Sequence, residues 1–100
     1  MNEREDRLHR LLRARGLNRT YSGYKYLLCA LRLLREDPGR LELVTKRLYP
    51  DVAKEFSVTP GGVDKALRTA VRRAAGEGVS VKDFLAGLQR EEMENADIPL

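Results

Sequence analysis

Lys65, Arg68 and Arg72 recur about one helical turn apart in the run Pro60–Ala75, and Gly61 falls on the same line. Cations in such a row make contact with a polyanion. Guanidinium and ammonium groups meet phosphate oxygens, and Arg and Lys also meet guanine O6 and N7 in the major groove. Gly62, Thr69 and Arg73 flank this edge, and Asp64 is its one acid. No catalytic chemistry competes with it. The single histidine, His9, falls on the exposed side of the first helix, with no cysteine, nucleophile elbow or carboxylate pair at catalytic spacing. Gly61-Gly62 is not a phosphate-cradling loop, because no Lys-Ser/Thr follows it. One cysteine and one histidine cannot supply a structural zinc set. The sequence therefore predicts no enzyme: no catalytic residue, metal site, cofactor or small-molecule substrate.

Those cations require a helix that keeps its other face dry. Val63, Ala66, Leu67, Ala70, Val71 and Ala74 fall at i, i+3, i+4, i+7, i+8 and i+11, a continuous apolar stripe. Thr59 followed by Pro60 forms the cap and first residue of this helix, and Gly76 and Gly78 end it. Upstream, Pro50 and Asp51 suit the first turn of a shorter helix with Val52, Ala53 and Phe56 inward, which Ser57 and Val58 leave. A short helix, a tight connection and a longer amphipathic helix make a helix-turn-helix over about residues 50–76. In that motif the second helix enters the major groove. On this layout Lys65, Arg68 and Thr69 face bases, whereas Arg72, Arg73, Lys46 and Arg47 are better placed to meet phosphates.

The other helices are scaffold. One is expected from about Glu3 to Arg15, with Leu8, Leu11 and Leu12 inward and Gly16 ending it. Ser22 is expected to cap a second, running to about Glu36 with Tyr24, Leu27, Leu28, Leu31 and Leu34 on its apolar face. Asp37-Pro38-Gly39 turns the chain into a third at about residues 40–48, with Leu41, Val44 and Leu48 inward. Ser80 to Asp83 reads as a capping box ahead of a closing helix that buries Val81, Phe84, Leu85 and Leu88. The expectation is an all-α, compact bundle of about five to six helices: one domain over residues 1–92 and a flexible tail over 93–100.

Two stretches carry a resemblance. Gly-Tyr-x-Tyr-Leu at Gly23 to Leu27 and Thr-Lys-x-Leu-Tyr-Pro-Asp-x-Ala-Lys-x-Phe at Thr45 to Phe56 are similar to the C-terminal effector domain of the sporulation initiation factor, stage-zero sporulation protein A. The likeness runs over about Leu8 to Gly78. It implies an all-helical, response-regulator effector domain that binds double-stranded DNA in tandem copies or as a homodimer, and so a bacterial transcription regulator in the cytoplasm. Carried over, the family's contacts with bases and backbone fall on Gly61, Gly62, Asp64, Lys65, Arg68 and Thr69, and Thr59 at the cap completes the set. The chain departs from the pattern at the start of the recognition helix. Gly61 and Gly62 stand where the family tends to have Ser-Arg, and Lys65 stands where it has Arg. The glycines weaken the helix start by about 1 kcal/mol each relative to Ala. A lysine cannot repeat a bidentate guanine contact. The segment between recognition helix and last helix is also short. With Met1 only one helix ahead of the matching region, a stand-alone domain without a receiver is expected.

Charge distribution agrees with a polyanion partner. The net charge of +4 divides into +5 over residues 1–40, +2 over 41–79 and −3 over 80–100. Nucleic acid should therefore approach the first three quarters of the chain. No run is apolar enough for a membrane span or a signal peptide, so no membrane partner is expected. Cys29, inside an apolar run, reads as a buried small hydrophobe. The alternative function is a protein-interaction module derived from the same domain that has lost base readout.

Overall fold

The apolar positions spaced by three and four become the buried faces of five α-helices in the computed structural model, which describes residues 3–96. Helix α1 spans Glu3–Ala14, α2 Ser22–Glu36, α3 Tyr49–Phe56, α4 Pro60–Ala75 and α5 Val81–Ala96. The described residues hold no strand, so the chain forms the expected all-α bundle with its helix-turn-helix.

Helix α2 is the central post. It touches all four other helices and buries Tyr24, Tyr26, Leu27, Cys29, Ala30, Leu31, Leu33 and Leu34. Its closest approach is to α4, at Gly23. A Cβ there would lie 2.6 Å from the Ala66 carbonyl oxygen and 2.8 Å from the Ala70 Cβ. Glycine on one helix and alanines on the other let the two backbones nearly touch. One turn further, Tyr26 packs edge-on against Phe56 of α3, with ring centroids 5.2 Å apart. The first turn of α2 thus seats both halves of the helix-turn-helix.

The stretch before α3 departs from the expected third helix at residues 40–48. Pro38–Leu43 is a 3-10 helix, Val44–Leu48 is a π-wound turn, and the π turn runs directly into α3. Pro50 explains the rewinding. It has no N–H for the Lys46 carbonyl, and its ring would clash with that carbonyl in α geometry. Widening the turn to i→i+5, with the Tyr49 N–H donating to the Val44 carbonyl, moves the carbonyl out of the way. Leu48 is buried as expected, while Leu41 and Val44 are only half-buried. Arg40 ties the segment down, donating from Nε to Asp51 at 2.9 Å and from Nη1 to the Leu33 carbonyl at 2.8 Å.

Other local differences have physical causes. Ser22 is the first residue of α2 and not its cap; Tyr21 holds the cap position in extended conformation, with no side-chain bond. His9 is half-buried rather than exposed, because its Nδ1 shares a hydrogen bond with the Tyr24 hydroxyl across the α1–α2 contact. Leu17, after the first helix, is buried as fully as Leu8 and Leu12, while Leu11 of the expected stripe is half-buried. Cys29 is buried beside Glu55. Burial first, then the Glu55 carboxylate, pushes its thiol from 9.0 up to about 12, which is the reverse of an activated thiol. Helix α5 opens as expected, with the Asp83 N–H donating to the Ser80 hydroxyl at 3.0 Å. It continues to Ala96, through the first four positions of the expected tail; residues 97–100 of that tail lie outside the described residues.

Replacing Gly23 by Ala should be costly. The added methyl meets a backbone carbonyl at 2.6 Å, so α2 and α4 must separate. The expected loss is about 1–3 kcal/mol in urea denaturation, the usual cost of overpacking a tight contact. A variant as stable as the parent would mean that the crossing is looser than described.

Candidate nucleic-acid interface

Helix α4 is placed by its two ends. At its start the Thr59 hydroxyl accepts from the Gly62 N–H at 3.0 Å, and Pro60 takes the position where a missing N–H costs nothing. The connection from α3 is three residues long. Ser57 adopts left-handed φ 54°, and the Val58 N–H donates to the Ala53 carbonyl at 3.0 Å, which closes α3 and reverses the chain. At its end Gly76 has φ 80° and ψ −179°, a conformation reserved for glycine. Between these ends Val63, Leu67, Ala70 and Val71 are buried, and Ala66 and Ala74 are half-buried against the core.

The opposite face is therefore fixed in direction. Gly61, Gly62, Lys65, Arg68, Thr69, Arg72 and Arg73 are all exposed on it, as is Thr59 at its cap, and Asp64 is half-buried at one edge. Lys46 and Arg47 are exposed on the π turn before α3. The residues singled out by sequence thus share the helix-turn-helix and the turn leading into it.

Their side chains are not equally available. Arg68 donates to Asp64 at 2.6 Å, one turn away on the same helix. Asp64 also accepts from the Tyr49 hydroxyl of α3. Burial first, then the Asp64 charge, pushes the Tyr49 phenol from 10.0 up to about 12. Asp64 is in this way a brace between the two helices and a guide for Arg68, a role that spacing along one helix could not reveal. The Thr69 hydroxyl donates to the Lys65 carbonyl at 3.0 Å, so toward a base it is left as an acceptor, suited to cytosine N4 or adenine N6. Arg47 is held by Asp37 at 2.7 Å. Arg73 lies over the Tyr21 ring at 5.8 Å. Among the described residues, Lys65, Arg72, Arg73 and Lys46 have no carboxylate partner.

The two glycines differ in their surroundings. A Cβ on Gly61 would meet nothing within 4 Å, whereas one on Gly62 would lie 3.2 Å from the capping Thr59 hydroxyl. The fold therefore does not demand glycine at 61. A contact that Gly61 supplies to a ligand would come from its backbone alone.

Residues 8–97 match the model of a family described as "Sporulation initiation factor Spo0A C terminal". The chain belongs to that family of DNA-binding effector domains. The match extends beyond the Leu8 to Gly78 resemblance and takes in α5. Its motifs now have a structural meaning: Gly23 seats α4, Tyr26 packs on Phe56, and Tyr49 braces Asp64.

Two measurements test this geometry. The Tyr49 pKa is raised on folding, so the neutral phenol contributes its stability fully below pH 10 and loses it as the pH climbs toward about 12. Denaturation across that alkaline window should show a falling stability that Tyr49→Phe flattens; an identical slope in the variant contradicts the Tyr49–Asp64 bond. Gly61→Ala should raise stability by up to about 1 kcal/mol, since the helix gains an alanine in open space. A destabilised Gly61→Ala would show that the space is not open.

Proposed function

We propose that this member of the Spo0A C-terminal family is a cytoplasmic transcription regulator that binds double-stranded DNA with α4 in the major groove. One observation carries the reading: Lys65, Arg68 and Arg72 stand exposed on the single face of α4 that points away from the core, on a helix whose direction is fixed at both ends. That is the arrangement a recognition helix needs, with base-facing cations in its first half and phosphate-facing cations beyond. No described helix is long and apolar enough to cross a membrane. A polyanion remains the partner that suits the face.

The roles divide by reach and by prior engagement. Arg68, already oriented by Asp64, is the residue best prepared to present a planar fork to guanine. Lys65 adds a point charge and Thr69 an acceptor. Arg72 and Arg73 face the backbone, joined by Lys46; Arg47 joins after exchanging Asp37 for a phosphate. With glycine at 61 and 62, the helix start contributes backbone N–H groups but no side-chain readout. Affinity should consequently exceed specificity, and tandem or dimeric binding would have to supply what one helix lacks.

Equilibrium binding to duplex DNA tests this directly. The slope of log K against log salt should be near −0.9 per neutralised phosphate. Arg68→Ala should cost about 1–3 kcal/mol and relax the sequence preference, whereas Arg72→Ala should weaken all sequences alike. If no duplex is bound at low salt, and partners captured from a lysate survive nuclease treatment, the chain is instead a protein-interaction module.

A further inference from the structure

A second cationic site lies outside the helix-turn-helix. Between α1 and the start of α2 is a pocket lined by His9, Arg19, Thr20, Ser22 and Lys25, with Tyr21 and Tyr24 as its apolar wall. No carboxylate lines it, and among the described residues neither Arg19 nor Lys25 has an acidic partner. Several scaffold arginines are matched by an acid, Arg15 with Glu91, Arg32 with Glu55, Arg35 with Glu92 and Arg40 with Asp51, whereas among the described residues Arg19 and Lys25, like Arg7, Arg10 and Arg13 of α1, are not. Two unmatched cations in one concavity fit a tetrahedral oxyanion, with charge from Arg19 and Lys25 and a hydrogen bond from the Ser22 hydroxyl, while the Thr20 hydroxyl and N–H both donate to Asn18 and shape the turn.

The pocket's place in the fold says which oxyanion. Gly23, beside the lining residues, is the point where α2 meets Ala66 and Ala70 of α4. Arg73 of α4 reaches back over the ring of Tyr21, which lines the pocket. Lys25 lies 5.4 Å from the ring centroid of Phe56, the last residue of α3. The pocket is therefore continuous with the Arg73 edge of α4, and one polyanionic strand can lie across both.

We infer that this pocket receives a backbone phosphate of the DNA whose major groove α4 enters, a sequence-independent contact from the first third of the chain. The inference rests on the DNA-binding reading above. Arg19 and Lys25 are exposed, but the Lys25 ammonium also lies 5.4 Å from the Tyr26 and Phe56 ring centroids, so the stability of the double variant is matched to the parent by denaturation before its binding is read. The test uses the full chain, a duplex of mixed sequence, the double variant Arg19→Gln with Lys25→Gln, and Arg90→Gln on exposed α5 as the control. The salt slope of the double variant should become less negative by about 1 per phosphate lost, with affinity reduced alike on every duplex. Arg90→Gln should match the parent. A double variant with the parent's slope overturns the pocket while leaving the DNA-binding reading intact. A parent that binds no duplex overturns both. A double variant that changes sequence preference as well as slope would assign the pocket to base readout and overturn the phosphate assignment.

Discussion

The contact of Gly23 with Ala66 and Ala70 is the constraint on which the rest of the arrangement depends. Two helices whose backbones nearly touch have little freedom to slide or tilt, because the smallest side chains are already in use. With α4 held there, its apolar stripe settles on the core and its cationic face must point outward. With Tyr26 on Phe56 a turn later, α3 is fixed from the same post. Tyr49 and Asp64 then join α3 to α4 directly, close to Arg68. The orientation of the outer face follows from three contacts, two of them made by a single turn of α2.

Charge is partitioned between structure and function. Arg15 and the arginines of α2 and of the segment before α3 are matched by carboxylates, in pairs linking distant parts of the chain such as Arg15 with Glu91 and Arg35 with Glu92, while among the described residues Arg7, Arg10 and Arg13 of α1 are not. Pairs of this kind, half exposed, contribute about 0–1 kcal/mol each. Their larger effect is to neutralise part of the scaffold, with Glu91 and Glu92 of α5 taken up by Arg15 and Arg35. Among the described residues, unmatched cations lie on α1, on α4 and beside the start of α2. The net +4 of the chain thus understates the local field at that surface.

Much of this was readable from residue order. The stripe from Val63 to Ala74, the Thr59–Pro60 start and Gly76 at the end defined α4, because each acts through local physics: periodicity, a hydroxyl at a free N–H, a conformation only glycine takes. The cationic face followed from the same periodicity. The rewound stretch before α3 was not readable. Pro50 fits the first turn of a helix, and a proline there is equally compatible with a chain that starts fresh at that point or one that runs in through a wider turn, as this one does. Pairings across the fold were equally hidden. His9 with Tyr24, Cys29 beside Glu55 and Asp64 with Tyr49 join residues on different helices, and nothing in their separation along the chain marks them. Asp64 is the instructive case, since reading along α4 placed it in the DNA-facing set, whereas the fold also gives it a bracing role. The open space at Gly61 could likewise be seen only with neighbours in place.

The central claim is that one face of α4, with the adjoining start of α2, is where this chain meets DNA. Backbone amide shifts of the labelled protein, recorded free and with a saturating duplex, test it most directly. The account predicts perturbations concentrated at Gly61 to Arg73 and at Arg19 to Lys25, with α5 unchanged. Perturbations centred on α5, or none at all at low salt, would contradict it.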